Sequence, residues 1–163
     1  MGDPHVKVTI ERSKVEEAEE LVRVQIASFH SDAVFYPGVE EGGPPGYDSA
    51  DLMRRKIAED IAYTIRTDGK IVGGVMLFEK AAGHLHLDVI FVDPALHNKG
   101  IGSKAMAFLS AAYPDVRWTL DTPVYAVRNH HFYEKFGYIR VGERVEPDGF
   151  KLYAYEKPAS ATS

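Results

Sequence analysis

The run Leu85–Val92, the dipeptide Asp93-Pro94 and the turn His97-Asn98-Lys99-Gly100-Ile101-Gly102 limit the fold of this chain more than any other stretch. A strand-like segment stops at a proline, passes through a turn carrying two glycines and re-emerges as a helix. Ile101, Ala105, Phe108, Leu109 and Ala112 recur at helical spacing and predict that helix's apolar face. A strand–turn–helix unit of this kind aims several backbone N–H groups into one small space, which suits a diphosphate. The glycines admit the anion closely, and the helix start adds favourable partial charge. The stretch lacks the lysine–serine/threonine ending of a P-loop, so nothing in it is placed to hold Mg²⁺, and it is not G-x-G-x-x-G. Taken alone, the glycine pair also fits a plain tight turn.

A second segment narrows the choice. Asn129-His130-His131-Phe132-Tyr133-Glu134-Lys135-Phe136-Gly137-Tyr138 reads as a short helix with Asn129 as N-cap and Gly137 as a left-handed stop. With both segments in this order, the chain resembles the GNAT superfamily of N-acetyltransferases from about Val6 to Lys157. In that family a [Q/R]-x-x-G-x-[G/A] loop after the fourth strand binds the pyrophosphate of acetyl-CoA. A downstream N-x-x-x-F-Y-E-K-x-G-[F/Y] helix carries a tyrosine beside the thioester sulfur. The second pattern is closely matched over Phe132–Tyr138, with Asn129 one residue nearer to Phe132 than the pattern has it; the first departs at its opening position, where His97 stands, a position expected to contribute mainly backbone.

The resemblance implies acetyl-CoA as co-substrate, bound by His97, Asn98, Lys99, Gly100, Ile101, Gly102 and Ser103, with Phe132 and Lys135 nearby. It implies that Ile90, Phe91 and Val92 pair through their main chain with the pantetheine arm where the fourth strand splays from its neighbour. Val92 N–H would then polarise the thioester carbonyl, and Asn129 would hydrogen-bond the arm. Tyr133 becomes the general acid that protonates the departing thiolate: a phenol of pKa about 10 keeps its proton near neutrality. The plainer reading of Tyr133 is a core ring with its hydroxyl at the surface.

His84, His86 and Asp88 alternate along the Leu85–Val92 strand and share one face, with Leu85, Leu87, Val89 and Phe91 on the other. An ammonium acceptor must lose a proton before attacking a thioester, and His86 or Asp88, directly or through water, fits the family position for that base. A solvated polar strand face is the alternative. A metal site is disfavoured, since alternate strand residues lie about 6.6 Å apart. His130 and His131 read as exposed helix residues and Trp118 as core.

Around these segments the pattern gives a strand over Val6–Glu11, a capping box at Ser13-Lys14-Val15-Glu16, and a helix with Val15, Ala18, Val22, Ile26 and Phe29 on one side. His30–Tyr47 reads as a long loop rich in proline and glycine, and long loops in compact domains are often functional. Asp48–Asp60 reads as a helix capped by Asp48 or Ser49. Ile61–Arg66 and Lys70–Glu79 form a hairpin through Thr67-Asp68-Gly69. Val116–Leu120 is a strand, and Tyr138–Val145 with Phe150–Glu156 closes the chain as a hairpin.

The order β-α-α-β-β-β-α-β-α-β-β predicts one α/β domain over residues 1–163, with 158–163 as a flexible tail. The resemblance makes it a GNAT-like fold: a mixed, mostly antiparallel twisted sheet of about seven strands flanked by about four helices. The acceptor is expected between the 30–47 loop, the second helix and the closing hairpin, near Phe29, Tyr36, Glu40 and Asp121.

With 163 residues the chain can bury about two thirds of its unfolded surface. Nineteen basic against twenty-four acidic residues, net −5, argue against nucleic-acid binding. The absence of cysteine removes a thiol acyl-enzyme route. No apolar run approaches a membrane span, and the opening Met-Gly-Asp-Pro-His is not a signal peptide, so a cytoplasmic location and no membrane partner are expected. The function expected is N-acetyl transfer to a small-molecule or peptide amine in a ternary complex, with no metal and a homodimer conceivable through the closing hairpin. A non-catalytic acyl-CoA-binding module is the alternative.

Overall fold

The computed structural model describes residues 7–159; the expectations for Met1–His5, for Val6 and for the tail beyond residue 159 fall outside the described residues. Its strands are β1 (Val8–Arg12), β2 (Ile61–Thr67), β3 (Lys70–Ala81), β4 (His84–Val92), β5 (Arg117–Pro123), β6 (Ile139–Val145) and β7 (Lys151–Lys157). They form one sheet in the order β1-β2-β3-β4-β5-β7-β6, antiparallel throughout except at β4–β5. The helices are α1 (Ala18–His30), α2 (Asp32–Phe35), α3 (Ala50–Glu59), α4 (Ile101–Ala112) and α5 (Val127–Lys135). This is the mixed, mostly antiparallel sheet with flanking helices that the sequence predicts.

Two apolar layers sandwich the sheet. Ile101, Ala105 and Leu109 of α4 bury against Val75, Leu77, Leu87 and Leu120 on one face. On the other, Leu21 and Val22 of α1 and Met53 and Ile57 of α3 pack on Ala62, Met76 and Phe91. Trp118 is buried, as expected. Local signals explain most boundaries. Ser49 Oγ caps α3 by accepting from Leu52 N–H at 3.0 Å. Asp68 and Gly69 take positive φ (50° and 78°), the turn a tight hairpin demands.

Four local readings are corrected. Ser13 does not cap a helix: its hydroxyl meets Thr64 Oγ1 at 2.7 Å, while Glu17 accepts from Lys14 N–H at 2.9 Å, one residue out of the expected register. The 30–47 stretch is not all loop, since α2 lies within it. Asn129 is not an N-cap: a turn in which Ala126 N–H reaches Pro123 O at 3.0 Å starts α5 earlier, with Ala126 at the cap. His130 is buried, its Nε2 donating to Pro123 O at 2.9 Å with Tyr153 and Tyr155 beside its ring. The left-handed stop at Gly137 is as expected, with φ 92°.

A fifth difference shapes the site. In β4, Leu87 pairs with Leu77 but Val89 with Met76, so Asp88 is an extra residue, a β-bulge. The bulge shifts the alternation. Leu85 and Leu87 join the α4 layer with Ile90 and Val92, whereas Val89 and Phe91 join the α1 layer. The single apolar face Leu85/Leu87/Val89/Phe91 therefore does not exist.

Candidate active site

β4 and β5 pair only at His84↔Arg117, Leu85↔Trp118 and His86↔Thr119. Beyond that last pair β5 stays with β7 and β4 stays with β3, so the two strands fork. Asp93 N–H donates to Val72 O at 2.7 Å. Antiparallel alternation then aims Phe91 N–H at β3 as well, and those of Ile90 and Val92 into the fork. Phe91 also turns its ring into the α1 layer, 2% exposed.

The cleft beside this fork has a volume of about 460 Å³. Ile90, Val92, Gly102, Asn129, Phe132 and Tyr133 line it, together with the end of α1 and α2. At its floor the loop before α4 puts Asn98 (φ 66°) and Gly100 (φ 79°) in the left-handed region. That curl turns the chain so that all backbone N–H groups from Asn98 to Ser103 make no hydrogen bond among the described residues. Such consecutive free donors at a helix start, joined by Lys135 Nζ 3.3 Å from Ser103 Oγ, are suited to a diphosphate. Gly102 sits where a Cβ would stand 3.3 Å from the Phe132 ring.

Tyr133 belongs to the α4-side core, with its ring among Phe132, Tyr138 and Tyr155. Its hydroxyl makes no hydrogen bond among the described residues, yet no buried side-chain oxygen there lacks a partner. The hydroxyl is therefore open to the cleft. Burial pushes its pKa well above the usual phenol range, so it stays protonated at neutral pH. Asn129 Nδ2 reaches Thr122 Oγ1 at 3.3 Å rather than capping its helix.

A strap crosses the cleft, and sequence reasoning did not find it. Phe35 of α2 stacks on His97, with ring centroids 6.1 Å apart, and the Arg128 guanidinium lies 3.9 Å from the Phe35 centroid. Tyr125 donates to Asp32 at 3.1 Å, and Arg128 N–H donates to Tyr36 Oη at 3.2 Å. The His97 side chain acts on the other side of the loop, where Nε2 donates to Val92 O at 3.0 Å and ties the loop to the end of β4. The available signal was the aromatic content of the proline-rich segment, Phe35 and Tyr36. Phe35→Ala is expected to weaken coenzyme A binding about threefold to tenfold by loosening this strap, with little change in Tm; isothermal titration calorimetry checks it.

His86 lies on the α1 side at the fork, 9% exposed, and does not line the cleft. Its Nδ1 is 2.8 Å from Thr119 Oγ1 and its Nε2 is 3.9 Å from Asp121 Oδ2. Asp88 is ion-paired with Lys56 of α3 at 2.8 Å and also lies off the cleft. Phe29 and Tyr36 line the cleft. Glu40 is exposed and outside it. Asp121 also lies off the cleft lining, beside His86 and Arg144, whose Nη1 donates to it at 3.0 Å.

Burial, then Lys80, lowers the His86 pKa against the opposing pull of Asp121 and Asp88; burial, then Arg117, lowers that of His84. The unfolded chain thus binds more protons near the ordinary histidine value of about 6.5. Stability is expected to be full above that value and to be lost as pH falls from it toward the folded-state pKa. Tm measured between pH 7.5 and 5 should fall, and less steeply in His86→Gln.

The Acetyltransferase (GNAT) family model matches residues 26–138. The chain is 33% identical to the uncharacterized protein YrkN of Bacillus subtilis over 129 residues, 78% of this chain and 70% of that protein. It is 26% identical to S-(2-succino)cysteine N-acetyltransferase of the same organism, covering 86% of this chain and 87% of the other. In fold it is similar to PaiA N-acetyltransferase of Thermoplasma acidophilum, solved in complex with coenzyme A, at TM-score 0.70 and 15% identity over 93% of this chain and 99% of that one. Among the described residues no helix is long and apolar enough to cross a membrane. The forked sheet, the amide-lined loop and the family match agree: this chain belongs to the GNAT acetyltransferase family and is an acyltransferase.

Proposed function

We propose that the protein transfers the acetyl group of acetyl-CoA to a primary amine of a small molecule or peptide by direct attack in a ternary complex. The observation carrying this reading is the run of N–H groups from Asn98 to Ser103, without a hydrogen bond among the described residues, in a loop that lines the same cleft as Ile90 and Val92 at the β4–β5 fork. In this reading the loop amides, Ser103 and Lys135 hold the diphosphate. The Ile90 and Val92 amides and Asn129 follow the pantetheine arm along the fork, and Phe132 packs beside it.

Val92 N–H stabilises the developing oxyanion, and Tyr133 protonates the sulfur as the C–S bond breaks. Holding amine and thioester together supplies the orientation that a bimolecular encounter lacks. The acceptor approaches from the α1 side of the fork, where His86 and Asp121 stand. The Lys56 ion pair draws Asp88 away from that place and weakens its candidacy as base. Phe29 and Tyr36 then bound the acceptor's path, and Glu40 has no part in it.

The test has two measurements. Calorimetry with acetyl-CoA should give binding, and thiol release should follow with some member of an amine panel. Amino-acid amines lead the panel because one relative is named for acetylating S-(2-succino)cysteine. No heat with acetyl-CoA overturns the reading. Binding with no thiol release from any amine favours a binding module.

A further inference from the structure

The polar groups on the α1 side of the fork form a hydrogen-bond chain whose direction is fixed at one end. Glu156 Oε1 accepts from Arg117 Nε and Nη2 at 2.8 and 2.6 Å, which sets the plane of the guanidinium. The remaining Arg117 nitrogen, Nη1, faces His84 Nδ1 at 3.4 Å. A guanidinium only donates, so His84 Nδ1 accepts and the ring proton of neutral His84 is on Nε2. That Nε2–H donates to Thr119 Oγ1 at 2.8 Å.

The Thr119 hydroxyl proton then has His86 Nδ1, at 2.8 Å, as its acceptor. Neutral His86 is left with its own proton on Nε2, the nitrogen that faces Asp121. Phe78, with its ring centroid 5.1 Å away, holds the imidazole plane. A histidine with its proton on the outward nitrogen is a donor there and cannot accept a second proton at that atom. Asp121 differs. Both neighbours, the Arg144 guanidinium and neutral His86, address its Oδ2, and Oδ1 makes no hydrogen bond among the described residues.

We propose that Thr119 is a positioning residue which, anchored through His84 and Arg117, fixes the His86 ring proton on Nε2, 3.9 Å from Asp121 Oδ2, and that Asp121 Oδ1 rather than His86 takes the proton of the acceptor's ammonium group. The proposal rests on the acetyl-transfer reading and deepens it. The ammonium loses one proton to Asp121, and the freed nitrogen pair forms the new C–N bond at the thioester carbon. The C–S bond breaks as sulfur takes the Tyr133 proton. The second nitrogen proton restores Tyr133 through solvent, and Asp121 later releases its proton to solvent. Net, ammonium and thioester become amide, thiol and one proton. The groups facing His86 that bear on its titration are Lys80, His84, Asp88 and Asp121.

Two readouts test it. Long-range ¹H–¹⁵N correlation spectra of histidine-labelled protein at pH 7.5, assigned with His86→Gln, report which ring nitrogen carries the proton. Wild type and Thr119→Ser should show the Nε2–H form, and Thr119→Val a mixture of the two tautomers. In steady-state kinetics, Thr119→Val should lower kcat about tenfold with the acetyl-CoA KM within about twofold, and Thr119→Ser should recover most of that loss. Asp121→Asn should lower kcat on the order of a hundredfold.

A wild-type Nδ1–H tautomer overturns the proposal, as does a Thr119→Ser variant as impaired as Thr119→Val, or an Asp121→Asn variant within about threefold of wild type. The wild-type spectrum needs no variant to fold. It also separates the two readings: wild type that shows the Nε2–H form but turns over no amine refutes acetyl transfer and leaves the tautomer assignment standing.

Discussion

Replacing Gly102 with aspartate is expected to weaken acetyl-CoA binding by at least a hundredfold. The substitution puts a carboxylate among donors that have no partner among the described residues, the N–H groups from Asn98 to Ser103. The new anion both competes for those amides and repels the diphosphate across a short distance. Gly102→Ala isolates the steric part: its Cβ would stand 3.3 Å from the Phe132 ring, so Phe132 must give way slightly and a loss of about tenfold is expected. Both variants keep the backbone at Gly102 in ordinary helical geometry, so Tm should move by a few degrees at most. Calorimetric titration beside a thermal melt checks the pair. Equal binding by Gly102→Asp and wild type would remove the diphosphate from this loop.

Tyr133→Phe is expected to lower kcat on the order of a hundredfold while leaving acetyl-CoA affinity within about twofold. The substitution deletes only an oxygen that is open to the cleft and makes no hydrogen bond among the described residues, so packing is preserved. General-acid assistance is commonly worth about 10²–10⁴. Burial holds the phenol protonated well past neutrality, so the defect should be constant from pH 7 to 9. A rate within threefold of wild type, measured by thiol release, would leave Tyr133 as a core ring and nothing more.

Much of the fold was legible because its signals are local. The Asp68-Gly69 turn, the Ser49 cap and the Gly137 stop depend on what one residue type can do at one backbone position. The amide loop belongs to the same class: a strand stop, a left-handed Gly100 and a helix start close together in sequence are enough to predict free donors. The errors share a cause as well. Ser13 had a helix N–H within local reach and found Thr64 across the sheet instead. Asn129 had the composition of a cap, but the turn at Pro123–Ala126 had already begun the helix. His130 looked like a surface residue until Tyr153 and Tyr155 closed over it.

Local backbone preference thus laid down the elements, their order and the amide-lined turn before α4 from this chain's own residues. Tertiary packing decided the rest. The bulge at Asp88 reversed which side chains face which layer, and a one-residue slip in a period of two has that effect at a distance no pattern reports. The fork after His86 and Thr119, the Phe35 strap and the chain from Arg117 to His86 each involve residues dozens of positions apart. Their hydrogen bonds and stacking energies exist only once the sheet has brought those residues together, so no window along the sequence could contain them.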